Sequence, residues 1–288
     1  MESTTADEIR LQELKAFDET KAGVKGLVDK GILKIPTIFH NPPHKFSKAT
    51  NSTTNKTQQT IPVIDFKNIG KNPNARKEII TKIKEASETW GFFQVVNHGI
   101  PLNVLEDTKD GVVRFHEQDA EVKKEMYSRD LTRPLNFASN FDLYSPAPLN
   151  WGDTFAWNMA SNTTKPEDFP LVLRDIIPEY GAHVMKLGIT LLELLSEALG
   201  LVPNHLKDMD CYKGNMLLCH YYPTCPEPEL TMGAAGHCDP NILTVLLQDH
   251  IGGLQILHED NWIDIPSIPG ALVINIGDIL QVVFFQVV

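Results

Sequence analysis

The chain has 288 residues, of which 42% are hydrophobic and 22% charged, with a formal net charge of -11. That balance excludes a fibrous or wholly disordered class and leaves room for one large core with an accessory layer, or for two modest domains. The acidity opposes sequence-independent binding to phosphate backbones or anionic membranes, so the expected partner is a small molecule, with no nucleic acid and no membrane.

The amino-terminal stretch MESTTADEIRLQELKAFDE is charged from its start and has no apolar segment followed by a small-residue cleavage site. It does not read as a secretory leader, and no apolar run reaches membrane-spanning length. Cys211, Cys219, Cys225 and Cys238 form no C-x-x-C pair. In a chain of this length they are expected as reduced thiols, which fits a cytoplasmic protein.

Leu11, Leu14, Phe17 and Asp18 begin a helical pattern within residues 1–40 that Gly31 and Pro36 end, and residues 41–60 read as a polar linker. The stretch from 61 to 170 opens with IPVID as a short strand. Pro73 then starts a helix carrying Ile79, Ile80, Ile83, Ala86 and Trp90 at helical spacing, closed by Gly91. FFQVVNH reads as a buried strand, and Pro101 leads into an amphipathic helix with Leu102, Leu105, Val112 and Phe115. Residues 128–170 show no clear period and read as long loops with short extended pieces. Within 171–210, Tyr180, Val184, Leu187, Leu191, Leu195 and Ala198 mark a long helix capped by Gly200, expected to back a sheet. From 211 onward the runs NMLLCHYY, ILTVLLQ, LQIL, WIDI and ALVINI, separated by Gly, Pro and Asp, predict antiparallel strands of a sandwich or barrel.

His237-Cys238-Asp239 places an imidazole and a carboxylate two residues apart. In an extended segment side chains at i and i+2 leave the same face, so both can reach one metal ion. One imidazole and one carboxylate are two thirds of the 2-His-1-carboxylate triad, which leaves neighbouring positions open on Fe(II). Alone, an H-x-D triplet discriminates poorly.

The surrounding text is more specific: CHYYPTCPEPELTMGAAGHCDPNILTVLLQDHIGGLQIL around the triplet, with IPVIDF and WGFFQVVNHGIP upstream. With these motifs the chain resembles the plant Fe(II)/2-oxoglutarate-dependent dioxygenases, and among them those called 1-aminocyclopropane-1-carboxylate oxidase homologues, over almost its whole length. The resemblance implies an α+β fold, with a double-stranded β-helix (jelly-roll) core flanked by N-terminal helices and incomplete at its C-terminus. It implies Fe(II), 2-oxoglutarate as co-substrate and ascorbate as a further cofactor. The implied reaction is hydroxylation or oxidation of a small specialised metabolite with release of succinate and carbon dioxide. His237 and Asp239 match the family's iron ligands, and no catalytic residue is implied beyond them. Tyr222 matches the second Tyr of the family's N-Y-Y-P segment, which helps hold the 2-oxoglutarate carboxylate, and His220 stands where that segment has Asn. Cys238 sits where Thr or Ser is more usual.

The resemblance also implies a second His and an Arg of an R-x-S pair after N-I-G-D. Here NIGDIL runs into QVVFFQVV and neither is present. His250 and His258 fall in a segment the family uses for a hairpin away from the iron, no Arg follows Arg174, and no Lys follows Lys213. The chain is therefore expected to be truncated and impaired, or else to be a catalytically inactive member that binds a ligand or partner. VVFFQVV has strong β-propensity and no charge, so it is expected as an exposed edge strand that invites self-association. Asn136, Phe141, Trp151 and Trp157, in irregular segments, are the candidate substrate contacts.

Overall fold

A computed structural model describes residues 2–42, 60–130, 132–161 and 163–286. The linker expected at 41–60 falls almost wholly outside them. The elements run α1 (Glu2–Thr20), α2 (Gly23–Asp29), β1 (Val63–Asp65), α3 (Pro73–Thr89), β2 (Phe92–Val96), α4 (Leu102–His116), α5 (Ala120–Lys124), β3 (Leu135–Ala138) and β4 (Asp153–Asn158). They continue with α6 (Ile176–Ala198), α7 (His205–Asp208), β5 (Met216–Tyr221), β6 (Leu243–Leu246), β7 (Gln255–His258), β8 (Asn261–Asp264), β9 (Leu272–Ile276) and α8 (Asp278–Gln286). The start of α3 shows how directly sequence sets an end: Pro73 occupies the first turn, and the Asn72 side chain accepts from the Asn74 N–H at 2.9 Å.

These elements gather into two compact units. The first takes the described residues of Met1–Ser47, Thr108–Pro178 and Asn215–Gly236. Its sheet is β3-β4-β5, antiparallel throughout, with Asn136 opposite Ala156 and Ala156 opposite Leu218. Phe115, Leu135, Phe137, Phe155, Phe169, Leu173, Ile177 and Cys219 pack against one face of that sheet. A separate cluster of Leu14, Phe17, Val24, Ile35, Ile38, Phe39 and Trp151 joins the N-terminal helices to the loop before β4.

Asp153, fully buried at the head of β4, ties α2 to this sheet. Its Oδ1 accepts from Val24 N at 2.7 Å and its Oδ2 from Lys25 N at 2.8 Å, while Ser139 Oγ also donates to it. The capping position of α2 is Ala22, which has no polar side chain to offer, so a carboxylate from elsewhere in the chain satisfies the exposed helical N–H groups. Gly23 sits at φ 68°, and a Cβ there would collide with the same carboxylate. Asp153→Ala would leave both N–H groups buried and unpaired, and is expected to lower the unfolding free energy by about 3 kcal/mol in a urea titration. A change below about 0.5 kcal/mol would contradict this role.

The second unit takes the described residues of Lys48–Asp107, Glu179–Gly214 and His237–Val288. Its sheet has the order β1-β2-β9-β6, with β1 parallel to β2 and the other pairs antiparallel. β7 and β8 form a hairpin in which Ile256 faces Ile263. Ile61, Ile256, Ile265 and Val273 make its core, with Trp90, Phe92, Leu246 and Ile263 against them.

Residues 128–170 are loops for most of their length, as expected, and their short extended pieces are β3 and β4, two strands of one sheet. All four residues of β3 are buried, and β4 turns the buried Asp153 to the same face as Phe155 and Trp157, so neither strand shows the alternation of polarity that marks a half-buried strand. One expectation is corrected: the C-terminal segment is helical over Asp278–Gln286 instead of forming an edge strand. Its first turn is capped by backbone: Asp278 N donates to Asp239 O at 2.9 Å and Ile279 N to Asn241 O at 3.1 Å. Those bonds and the burial of Leu280 outweigh the β-propensity of the sequence. The strand-mediated route to self-association is therefore withdrawn.

Candidate functional site

His237 and Asp239 lie in the irregular segment that leads into β6, not on a strand as expected. Their side chains nevertheless meet, with His237 Nε2 at 3.4 Å from Asp239 Oδ1. The imidazole is 66% exposed and the carboxylate 25% exposed, so the pair is open on one side.

The other oxygen of Asp239 is held by its own unit. Thr244 of β6 and Asn275 of β9 face each other across the ladder, and both donate to Oδ2, at 2.5 Å and 2.8 Å. Asn241 Nδ2 donates in turn to Thr244 Oγ1 at 2.9 Å, and Gly277 packs against Asn241 so closely that a Cβ there would collide with its carbonyl. Burial pushes the Asp239 carboxyl up, but the hydrogen bonds from Thr244 and Asn275 and the neighbouring His237 outweigh it and hold the group below its ordinary value. Asp239 is thus an ionised carboxylate with one oxygen fixed and the other turned toward an imidazole. That is the arrangement in which hydrogen-bonded partners orient a metal ligand. Thr244 and Asn275 escaped the sequence reading; the signal was a polar residue within each of the apolar runs ILTVLLQ and ALVINI.

Among the described residues no third His, Cys, Asp or Glu joins this pair. His258 ends β7 and stacks on Trp90, with ring centroids 4.0 Å apart, while His250 is exposed in the preceding loop. Cys238 is exposed, and all four cysteines are free.

The first unit brings His220 and Tyr222 together, with ring centroids 6.3 Å apart. His220 lies on β5 opposite Thr154, and its Nδ1 is 2.9 Å from Thr154 Oγ1. Tyr222 follows the strand and is half exposed. Strand alternation puts Asn136, Ala156 and Leu218 in one cross-strand row on the same face of the sheet as Thr154 and His220. Asn136 is buried there, and its Oδ1 meets no hydrogen-bond donor among the described residues.

The aromatic candidates are placed differently. Trp151 is 2% exposed, packs edge-on to Phe39 and donates its indole N–H to Pro223 O at 3.0 Å. Trp157 faces the opposite side of the sheet from Asn136 and packs edge-on against Phe169. Trp151 is thus a core anchor, while Trp157 is partly buried against the cluster of the first unit and its Nε1 meets no acceptor among the described residues. Phe141 is half-buried in the segment between β3 and β4.

Comparison with known proteins shows what the chain is similar to in sequence and fold. Residues 213–286 match the 2OG-Fe(II) oxygenase superfamily, and residues 61–180 match the N-terminal region described as non-haem dioxygenase in morphine synthesis. The chain is 53% identical over 270 residues to 1-aminocyclopropane-1-carboxylate oxidase homolog 1 of Arabidopsis thaliana, covering 94% of this chain and 73% of that protein. It is 53% identical over 282 residues to deacetoxyvindoline 4-hydroxylase of Catharanthus roseus, covering 98% of this chain and 70% of that protein. Among solved structures, JOX2 in complex with 2OG, Fe and JA superposes with a TM-score of 0.74 at 29% identity, over 90% of this chain and 74% of that chain. No helix among the described residues is long and apolar enough to cross a membrane. The chain belongs to the plant 2-oxoglutarate and Fe(II)-dependent oxygenases, an enzyme family of jelly-roll fold whose cofactors are Fe(II) and 2-oxoglutarate.

Proposed function

We propose that this chain uses His237 and Asp239 to bind Fe(II), and Tyr222 with His220 to bind 2-oxoglutarate, in the oxidation of a small specialised metabolite. The observation that carries the reading is the fixed, ionised Asp239 beside His237, with Thr244 and Asn275 bonded to the oxygen away from the imidazole. Bound Fe(II) supplies the redox chemistry by which 2-oxoglutarate is decarboxylated to succinate and dioxygen is activated toward the substrate. The protein's own share is geometric. Asp239 contributes charge and a single donor oxygen, the Tyr222 hydroxyl donates to a carboxylate, and the imidazole of His220, oriented by Thr154, offers a second polar contact. Asn136 and Phe141 are proposed as substrate contacts: the Asn136 carbonyl is poised to accept a hydrogen bond, and Ala156 and Leu218 beside it suit an apolar body.

Among the described residues only two protein donors meet at the proposed metal position, and in the 288-residue sequence no Lys or Arg follows Lys213 to meet the far carboxylate of the co-substrate. An anion bound without a cationic partner carries its full desolvation cost. Turnover by this polypeptide is therefore proposed to be weak. With Fe(II), ascorbate and 2-oxoglutarate supplied, succinate release is expected at least about 100-fold below that of a longer relative assayed beside it, the cost associated with a disturbed ligand shell. Efficient metal-dependent succinate release would refute this.

The same two-donor observation favours a second reading, a member of the family that binds a ligand or partner without turnover. It predicts association in the presence of 2-oxoglutarate with no succinate formed. In either reading the expected setting is the cytoplasm, on the strength of the free cysteines.

A further inference from the structure

Most glycines that fall in turns of this protein, Gly31 and Gly91 among them, sit at positive φ, where a side chain strains the backbone. Gly152 and Gly233 do not, so the backbone itself gives no reason for glycine at either position. The tight contacts a side chain there would make are with one ring, the Tyr221 carbonyl oxygen lying at an ordinary 3.4 Å from a Cβ on Gly152. A Cβ on Gly152 would lie 2.9 Å from Tyr222 Cδ1 and 3.0 Å from its Cε1, and a Cβ on Gly233 would lie 3.0 Å and 3.3 Å from the same two atoms. Two glycines from separate segments thus leave room for the same edge of Tyr222.

The walls of this notch are tied together. Trp151 N donates to Met232 O at 2.8 Å, and Ala235 N donates to Asn150 Oδ1 at 2.9 Å. Asn150 is bracketed by Asn140, which accepts from Asn150 N at 2.7 Å and donates its Nδ2 to Asn150 O at 3.0 Å. Trp151 Nε1 holds the carbonyl of Pro223, the residue after Tyr222. With both wall segments and the following backbone fixed, a methyl group added at either glycine is relieved most cheaply by rotation of the Tyr222 ring, which is free on its exposed side.

We propose that Gly152 and Gly233 are positioning residues that set the orientation of Tyr222, and through it the place of the hydroxyl that meets the 2-oxoglutarate carboxylate. This inference rests on the role given to Tyr222 above. The test uses the full 288-residue chain labelled with fluorotyrosine, with the Tyr222 resonance assigned by Tyr222→Phe, and compares wild type, Gly152→Ala, Gly233→Ala and the double variant. Gly188→Ala is the control, because a Cβ there meets nothing within 4 Å. 2-Oxoglutarate is titrated in the presence of Fe(II) under anaerobic conditions.

The expected result is a displaced Tyr222 fluorine resonance in both notch variants, a Kd for 2-oxoglutarate raised about tenfold as befits loss of one aligned hydrogen bond, and an unchanged melting temperature. The control should match wild type in resonance and affinity. An unmoved resonance in the double variant overturns the proposal, as does a moved resonance with unaltered affinity. If wild type itself shows no affinity for 2-oxoglutarate, the role of Tyr222 as a carboxylate contact fails, while the fluorine resonance still decides whether the glycines orient the ring. A moved resonance accompanied by collapse of the melting transition counts against positioning and for a packing role alone.

Discussion

Acidification from neutral pH to about pH 4 is expected to remove about 3 kcal/mol of unfolding free energy through a single residue, His116. The side chain is wholly buried, and desolvation depresses it from its ordinary value of 6.5 to about 3 against the opposing bond to Cys219 O, with the nearby Lys123 charge lowering it further. Its Nε2 is 3.1 Å from the Cys219 carbonyl, which makes that nitrogen the N–H donor, and its Nδ1 has no partner among the described residues. A proton on Nδ1 would therefore be buried and unsatisfied. The ring also stacks on Tyr221, and Lys123 donates to the His116 carbonyl, so no carboxylate offers relief on those sides. Because the folded pKa lies below the unfolded one, the neutral ring's contribution is complete above about pH 6.5 and is lost as pH falls toward 3, where the unfolded chain alone takes up the proton. Urea titrations at pH 7 and pH 4 measure the effect. His116→Phe keeps the stacking but cannot titrate, so its pH dependence over this interval should shrink by about 3 kcal/mol, even though its stability at pH 7 falls for want of the Cys219 bond. Equal pH dependence in both proteins would show that the ring is not held neutral.

The second large effect concerns the metal. Asp239→Ala is expected to abolish divalent metal uptake, and Thr244→Val or Asn275→Leu to weaken it by about 10- to 100-fold while leaving both ligands in place. Thr244 and Asn275 are opposed across the β6–β9 ladder and both donate to Oδ2, so loss of either removes one of the two bonds that hold the carboxylate and loosens its orientation. An imidazole and a carboxylate that move independently bind an ion more weakly than a fixed pair, because the ordering cost then falls on binding. Cobalt(II) titration followed by visible absorption separates these variants. Metal affinity in Thr244→Val equal to wild type would show that Asp239 needs no such support.

Much of this arrangement is legible in the sequence, and the exceptions have physical causes. The second unit announces itself because ILTVLLQ, LQIL, WIDI and ALVINI are short β-rich runs bounded by turn residues, and they became β6 to β9. Pro73 and Pro101 marked helix starts that α3 and α4 share. The short extended pieces expected within 128–170 exist as β3 and β4, but their bounds are harder to read because a buried carboxylate, Asp153, lies in the inward row of β4, and its task of capping α2 cannot be read from neighbours in sequence. α8 defeated propensity because carbonyls of Asp239 and Asn241 cap it, contacts that cross some forty residues of chain. At the candidate site, the H-x-D spacing predicts that His237 and Asp239 can share one ion, and their side chains do approach to 3.4 Å, in an irregular segment rather than on a strand. Residue type alone does not tell an indole in the core from one in a pocket: Trp151 is buried in one cluster of the first unit, whereas Trp157 is only partly buried against the other.

The most direct test of the account is the stoichiometry and location of metal on the wild-type chain. Manganese(II), added under conditions where the protein is folded, is predicted to bind once per chain and to broaden the proton resonances of His237 by paramagnetic relaxation, and to do neither in His237→Ala or Asp239→Ala. Uptake that persists in both variants, or broadening centred on His250 or His258 instead, would contradict the assignment of His237 and Asp239 as the metal-binding pair.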